Sequence, residues 1–347
     1  MTVRKWLLVL LVFMLAASMT VLSGCGGEQV ETPTETTEPT EEAATIDEAA
    51  ALIKVTNDYV SSEFSKTWLI NAVDLQEKLF VENDESFQLI DLRSPEHYAN
   101  GHIEGALNIP LETIVEESAL AQIDPAKTVV LIDYDGSAAT GIHLFLTQLD
   151  YDVLTLRFGM SGWTTDPAIS SPDGSPVWDG KGKDYPLSTD PVTAEGSFEI
   201  PQPSTGAKDT TEAIINGAKA YLAAGGPTVI DADEVKTIVD AKDPNYQILS
   251  VMAPEDYPNG HIEGSLFFPR GNMATEEALK QLDPDKKIIV VCYQGHNAGM
   301  AQMFLKQLGY DAVSLHYALG AWTNDRAAFG EVKTYDPANV KNFPTVK

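Results

Sequence analysis

Apolar residues along this chain fall into three regimes. Trp6 to Ala17 is an apolar run behind the cations Arg4 and Lys5, whereas Glu28 to Thr45 is Glu, Thr and Pro with almost nothing to bury. From about residue 46 onward, short β-forming runs alternate with helical patterns. Helices are predicted near 47–62, 73–81 and 116–122, and strands at 88–92, 106–109, 128–133 and 153–156. Farther on, a helix is predicted near 210–224 and a strand at Leu266 to Phe268. Ile288 to Val291 reads as a buried strand, and Ala298 to Gln307 as a helix with Met300, Phe304 and Leu308 on one face. Such alternation predicts α/β architecture, a parallel sheet with helices on both faces, and ligands beyond the carboxyl ends of the strands.

The alternation occurs twice. Asn100-Gly101-His102-Ile103-Glu104-Gly105 recurs as Asn259-Gly260-His261-Ile262-Glu263-Gly264, an offset of 159. The same offset aligns Pro95-Glu96 with Pro254-Glu255, Asp124-Pro125 with Asp283-Pro284, Tyr151-Asp152 with Tyr310-Asp311 and Trp163-Thr164 with Trp322-Thr323. A repeat this long is a domain duplication rather than a solenoid. Residues 164–206 are rich in Pro, Gly, Ser and Asp. We therefore expect a first domain over 46–190, a linker over 191–207 and a second domain over 208–347.

The amino-terminal pattern is that of a secretory signal over residues 1–24. It ends Leu22-Ser23-Gly24-Cys25, which resembles the lipobox of bacterial lipoproteins. That resemblance implies lipidation of Cys25 and an extracytoplasmic chain held to a bacterial membrane, with residues 25–45 as an acidic, self-repelling tether.

Charge narrows the function. The chain has 23 basic and 51 acidic side chains, a net of −28, which excludes binding to nucleic acid or to an anionic membrane by charge. Only two cysteines are present. With Cys25 lipidated, Cys292 stands alone as a thiol in an exported chain.

Cys292 follows a predicted strand and precedes Tyr293-Gln294-Gly295-His296-Asn297 and a helix start. Backbone N–H groups and the positive helix end would surround its sulfur and favour the thiolate, the nucleophilic form. A buried inert cysteine is the alternative.

Several stretches now resemble one known family. Asp91-Leu92-Arg93-Ser94-Pro95-Glu96-His97-Tyr98, then Gly101-His102-Ile103-Glu104-Gly105-Ala106, together with Cys292-Tyr293-Gln294-Gly295 and Gly159-Met160-Ser161-Gly162-Trp163, look like the rhodanese signature over residues 66–330. The resemblance implies two rhodanese-like domains, each a parallel five-stranded sheet with helices on both faces, and sulfurtransferase activity through a cysteine persulfide. It makes the first domain inactive, since Asp133 stands where the second has Cys292. Cys292 would attack a sulfane sulfur in thiosulfate or a persulfide and pass it to a thiol or cyanide. Amides of Tyr293, Gln294, Gly295, His296, Asn297 and Ala298 would bind the substrate, without metal or organic cofactor. Gly295 would let the backbone turn toward the sulfur.

Two departures bear on substrate. The Asp91 and Arg93 pair becomes Ser250 and Met252 in the second copy, so that loop is expected to be held differently. The cysteine loop has His296 as its one ionisable cation, and Arg270, past the Leu266 to Phe268 strand, is the nearest other candidate. His102 and His261 read as satisfied structural histidines, and Trp163 and Trp322 as core closures. His97, His143 and His316 lack metal-site spacing. Two further functions remain open, a non-catalytic interaction module and a sulfur carrier or redox sensor with a dedicated partner.

Overall fold

The structure is a computed structural model that describes residues 46–62, 66–330 and 334–347. The export signal, Cys25 and the tether lie outside the described residues.

The first copy opens with α1 (Glu48–Val60), β1 (Leu69–Ile70), α2 (Ala72–Phe80), β2 (Phe87–Asp91) and α3 (Pro95–Asn100). It continues with β3 (Leu107–Asn108), α4 (Glu117–Leu120), β4 (Thr128–Ile132), α5 (Ser137–Gln148), β5 (Val153–Leu156), α6 (Gly159–Trp163) and α7 (Pro167–Ser170). The second runs through α8 (Thr210–Ala223), β6 (Val229–Ile230), α9 (Ala232–Ala241), β7 (Tyr246–Ser250), β8 (Leu266–Phe267) and α10 (Glu276–Leu279). It ends with β9 (Lys287–Val291), α11 (His296–Leu308), β10 (Ala312–Leu315) and α12 (Ala318–Trp322). Each copy forms a five-stranded sheet, ordered β1-β5-β4-β2-β3 and β6-β10-β9-β7-β8. Every strand pairing is parallel.

The strands that carry the sites are central. β4 and β9 are buried along nearly their whole length, as their unbroken runs of Val, Ile and Leu require of a strand covered on both faces. Helices α5 and α11, which follow them, pack against each other and join the two copies. Buried side chains of both copies therefore share one core, with Phe145, Phe304, Met300 and Met303 inside it.

Each copy is braced by the segment that follows the other. The indole N–H of Trp163 donates to the Pro344 carbonyl at 3.0 Å, and that of Trp322 to the Pro186 carbonyl at 2.9 Å. Phe343 and Tyr185 lie against the same two indoles, both at 5.0 Å between ring centres. His102 exchanges backbone hydrogen bonds with Val346, and His261 with Ser188. Both histidines are satisfied. Their Nδ1 atoms bond the carbonyls of Tyr98 and Tyr257, and their rings stack on those two tyrosines.

The loop after β2 differs from that after β7, as the sequence departure suggested. Arg93 is 1% exposed and pairs with Asp91 at 2.6 Å, while also donating to the carbonyls of Gly101 and Ile169. In the second copy Met252 is buried instead, Ser250 Oγ has no hydrogen-bond partner among the described residues, and a 3-10 turn over Tyr257–Asn259 replaces the helix α3. The ion pair that ties one loop to its surroundings is replaced there by apolar packing.

Candidate functional site

Strand β9 delivers Cys292 at its carboxyl end, and Gly295 turns the chain into α11. Gly295 has φ 98°, a left-handed conformation that glycine adopts without steric cost. This turn aims the Gly295 N–H at the Cys292 sulfur, 3.1 Å away. Burial nonetheless decides the state of the thiol. Cys292 is 1% exposed, and desolvation pushes its pKa up; the amides of Ala298, Gln294, Gly295 and Asn297 pull it back only part of the way. The thiolate expected from the amides and helix terminus is thus disfavoured while the sulfur is covered.

The other loop residues hold the cradle rather than face one point. The Tyr293 hydroxyl is held by other groups: it donates to Asp256 Oδ2 at 2.5 Å and accepts from the Ala253 N–H at 2.9 Å. Gln294 donates from Nε2 to the Tyr293 carbonyl at 3.0 Å and accepts at Oε1 from the Tyr335 N–H at 2.9 Å. Asn297 Nδ2 donates to the Val251 carbonyl at 3.4 Å, and Ala298 is fully buried. His296, expected to be the loop's cation, is buried and neutral. Desolvation and then the Arg157 charge lower its pKa to about 3, and its Nε2 accepts from the Phe158 N–H at 3.2 Å. Arg270 faces the first copy, with its guanidinium 5.5 Å from the Trp68 ring.

The first copy builds the same cradle around a carboxylate. Asp133 accepts from the N–H of Gly136 at 2.6 Å and of Ala139 at 3.0 Å, with Gly136 at φ 90° as Gly295 is at 98°. Burial, then the charge of Asp135, raises its pKa well above the usual carboxylate range. The two cradles touch, for a Cβ placed on Gly136 would lie 2.6 Å from His296 Nε2. Asp135 reaches across to His316, whose Nε2 lies 3.3 Å from Oδ2, and also accepts from the Ser137 N–H and hydroxyl.

A protein-family model described as "Rhodanese-like domain" matches residues 72–166 and 231–325. The chain belongs to the rhodanese-like family. The 3-mercaptopyruvate sulfurtransferase of Escherichia coli K12 is 25% identical over 301 residues, covering 75% of this chain and 95% of that protein. A thiosulfate sulfurtransferase of Shewanella oneidensis is 30% identical over 94 residues, 27% of this chain and 89% of its own. Among solved structures, a thiosulfate sulfurtransferase from Pseudomonas aeruginosa covers 76% of this chain and 46% of its own, at 20% identity and a TM-score of 0.28, too distant to inform the site. This rhodanese is therefore of the tandem kind, and sulfur transfer in general is the chemistry its relatives support.

Sequence reasoning about this rhodanese overlooked Asp256, Tyr335, the contact of Asp135 with His316, and Arg157 with Phe158. Asp135 and His316 sit 181 positions apart, so no local motif joins them. The offset of 159 was the usable signal, because it equates Arg157 with His316 and Asp135 with Gln294.

Proposed function

We propose that this chain is an extracytoplasmic sulfurtransferase, lipid-anchored through Cys25, that carries sulfane sulfur as a Cys292 persulfide. The observation that carries the reading is the Cys292 sulfur at the end of β9, held at 3.1 Å by the Gly295 N–H within a ring of loop amides. With thiosulfate as donor, the Cys292 thiolate attacks the outer sulfur, the S–S bond to the sulfonate breaks with its electron pair, and sulfite leaves. An acceptor thiolate then attacks the outer sulfur of the Cys292 persulfide, takes it as a new persulfide and restores the Cys292 thiolate. The loop amides offer fixed donors to the charge on sulfur in both steps. A persulfide donor follows the same course and releases a thiolate instead of sulfite. A neutral His296 in the loop favours the persulfide over the dianion.

Mass spectrometry of the purified protein after exposure to thiosulfate, and separately to a persulfide, tests the chemistry. A gain of one sulfur on Cys292, lost again on adding a thiol, is the expected result; no gain from either donor counts against it. Membrane fractionation of Cys25→Ser tests the anchor, and unchanged retention in the membrane would sink that part.

The covered thiol supports a second reading, a non-catalytic interaction module or a sulfur carrier that opens only on a partner. Reaction with a partner-linked persulfide but with neither small donor would favour the carrier, and reaction with none of the three the interaction module.

A further inference from the structure

Arg157 is the feature that the reading above leaves unused. It follows β5, beyond the carboxyl ends of the first sheet, and lines a cleft of about 410 Å³ together with Asn71, Phe158, Tyr335, Asn339 and Lys341. Its guanidinium Nε is buried, with no hydrogen-bond partner among the described residues. Desolvation alone moves its pKa, downward, with no carboxylate offsetting it. A half-buried cation with no counterion among the described residues is costly and is conspicuous in a chain of net charge −28.

In the second copy the equivalent position does have a counterion. His316, the equivalent of Arg157, meets the carboxylate of Asp135 across the junction of the copies. The equivalent of Asp135 is Gln294, a neutral amide already committed to the Tyr293 carbonyl and the Tyr335 N–H. Asp336 lines the cleft and Asp74 follows Val73 of its lining, but neither forms an ion pair with Arg157. Both oxygens of Asp336 accept, from the Ala338 N–H and Asn339 Nδ2, and Asp74 accepts from Asn71 Nδ2. Ala72 and Val73, the first residues of α2, line the same cleft, and the Asn71 side chain does not cap that helix.

We propose that this cleft of the first copy is a binding site for a small oxyanion, a sulfo or carboxylate group seated against Arg157 with Lys341 beside it. Its occupancy would be felt at the cysteine loop through Phe158, the next residue, whose N–H bonds His296. The site does not depend on sulfur transfer by Cys292.

Equilibrium dialysis of the full chain against labelled sulfate, at ionic strength fixed with chloride, tests it. Sulfate neither gives nor takes sulfane sulfur, so failure of the sulfurtransferase reading leaves this result untouched. One saturable site is expected, displaced by acetate if carboxylates share it. Arg157→Gln should weaken binding about tenfold or more. Lys341→Gln, on the exposed tail, should weaken it about threefold and carries the test should Arg157→Gln fail to fold. Cys292→Ser should bind as the wild type does. Absence of saturable sulfate binding overturns the proposal. So does binding unchanged by both cleft substitutions, or binding lost in Cys292→Ser but kept in Arg157→Gln.

Discussion

Gln148 and Gln307 occupy equivalent places in the two copies, 159 residues apart, and each donates its Nε2 to the other's Oε1 at 2.9 Å. Both are buried, one at the end of α5 and the other near the end of α11, so the axis relating the copies passes between them. Replacing either by leucine leaves the partner amide without its mate, at a cost of about 1–3 kcal/mol. Replacing both removes the amides' demand as well as their supply, leaving only the buried Thr56 hydroxyl without the bond that Gln148 Nε2 gives it at 2.8 Å. Urea unfolding of Gln148→Leu, Gln307→Leu and the double variant should show the double costing less than the two singles combined. Simple additivity would mean that the exchange does not couple the copies.

The second copy supplies a template for repairing a defect in the first. Arg93→Met alone strands the Asp91 carboxylate with no exposed surface, and breaking a buried pair this way costs about 3–5 kcal/mol. Asp91→Ser combined with Arg93→Met reproduces the Ser250 and Met252 arrangement and removes the orphaned charge. The double variant should recover part of the loss in urea unfolding. A double variant no more stable than Arg93→Met would show that the carbonyls of Gly101 and Ile169 need the guanidinium more than Asp91 does.

His316 gives the fold a dependence on pH. Burial opposes its charge, but the hydrogen bond and charge of Asp135, with Asp231 behind, outweigh burial and raise its pKa. A histidine whose folded pKa lies above the unfolded value of about 6.5 stabilises fully below that value and ceases to as pH rises through the folded one. His316→Gln should therefore melt below wild type at about pH 6, and the gap should narrow toward about pH 9. A gap independent of pH would assign His316 a packing role against Tyr317, on which it stacks.

The duplication and the sheet were legible because parallel strands buried on both faces leave continuous apolar runs, and because an ungapped offset aligned both copies. Cys292 was legible because a strand end, a glycine turn and a helix start are local in sequence. What escaped lies between the copies. Nothing in His316 alone tells that Asp135 lies across the junction, or in Arg157 that it meets no carboxylate there among the described residues, nor does His296 reveal that it lies against Phe158 and Gly136. The state of the thiol escaped for a related reason. Amide donors can be inferred from a loop, whereas desolvation depends on what folds over it from elsewhere in the chain.

Cys292 itself separates the chemical reading from the inert one. Serine is nearly isosteric, and its hydroxyl can accept the Gly295 N–H that now reaches sulfur at 3.1 Å. It forms no alkoxide at neutral pH and cannot hold a sulfane sulfur, so Cys292→Ser should abolish sulfur transfer and melt close to wild type. If Cys292 were only a core residue, burying a hydroxyl in its place would cost about 1–3 kcal/mol, and neither form would transfer sulfur. A second measurement uses the raised thiol pKa. Because the thiolate is the attacking form, the rate of Cys292 alkylation by a small reagent should go on rising with pH past the ordinary thiol value of about 8.5. A rate already level at neutral pH would mean that the loop amides outweigh burial whenever the site opens. Full sulfur transfer by the serine variant would refute the persulfide mechanism outright.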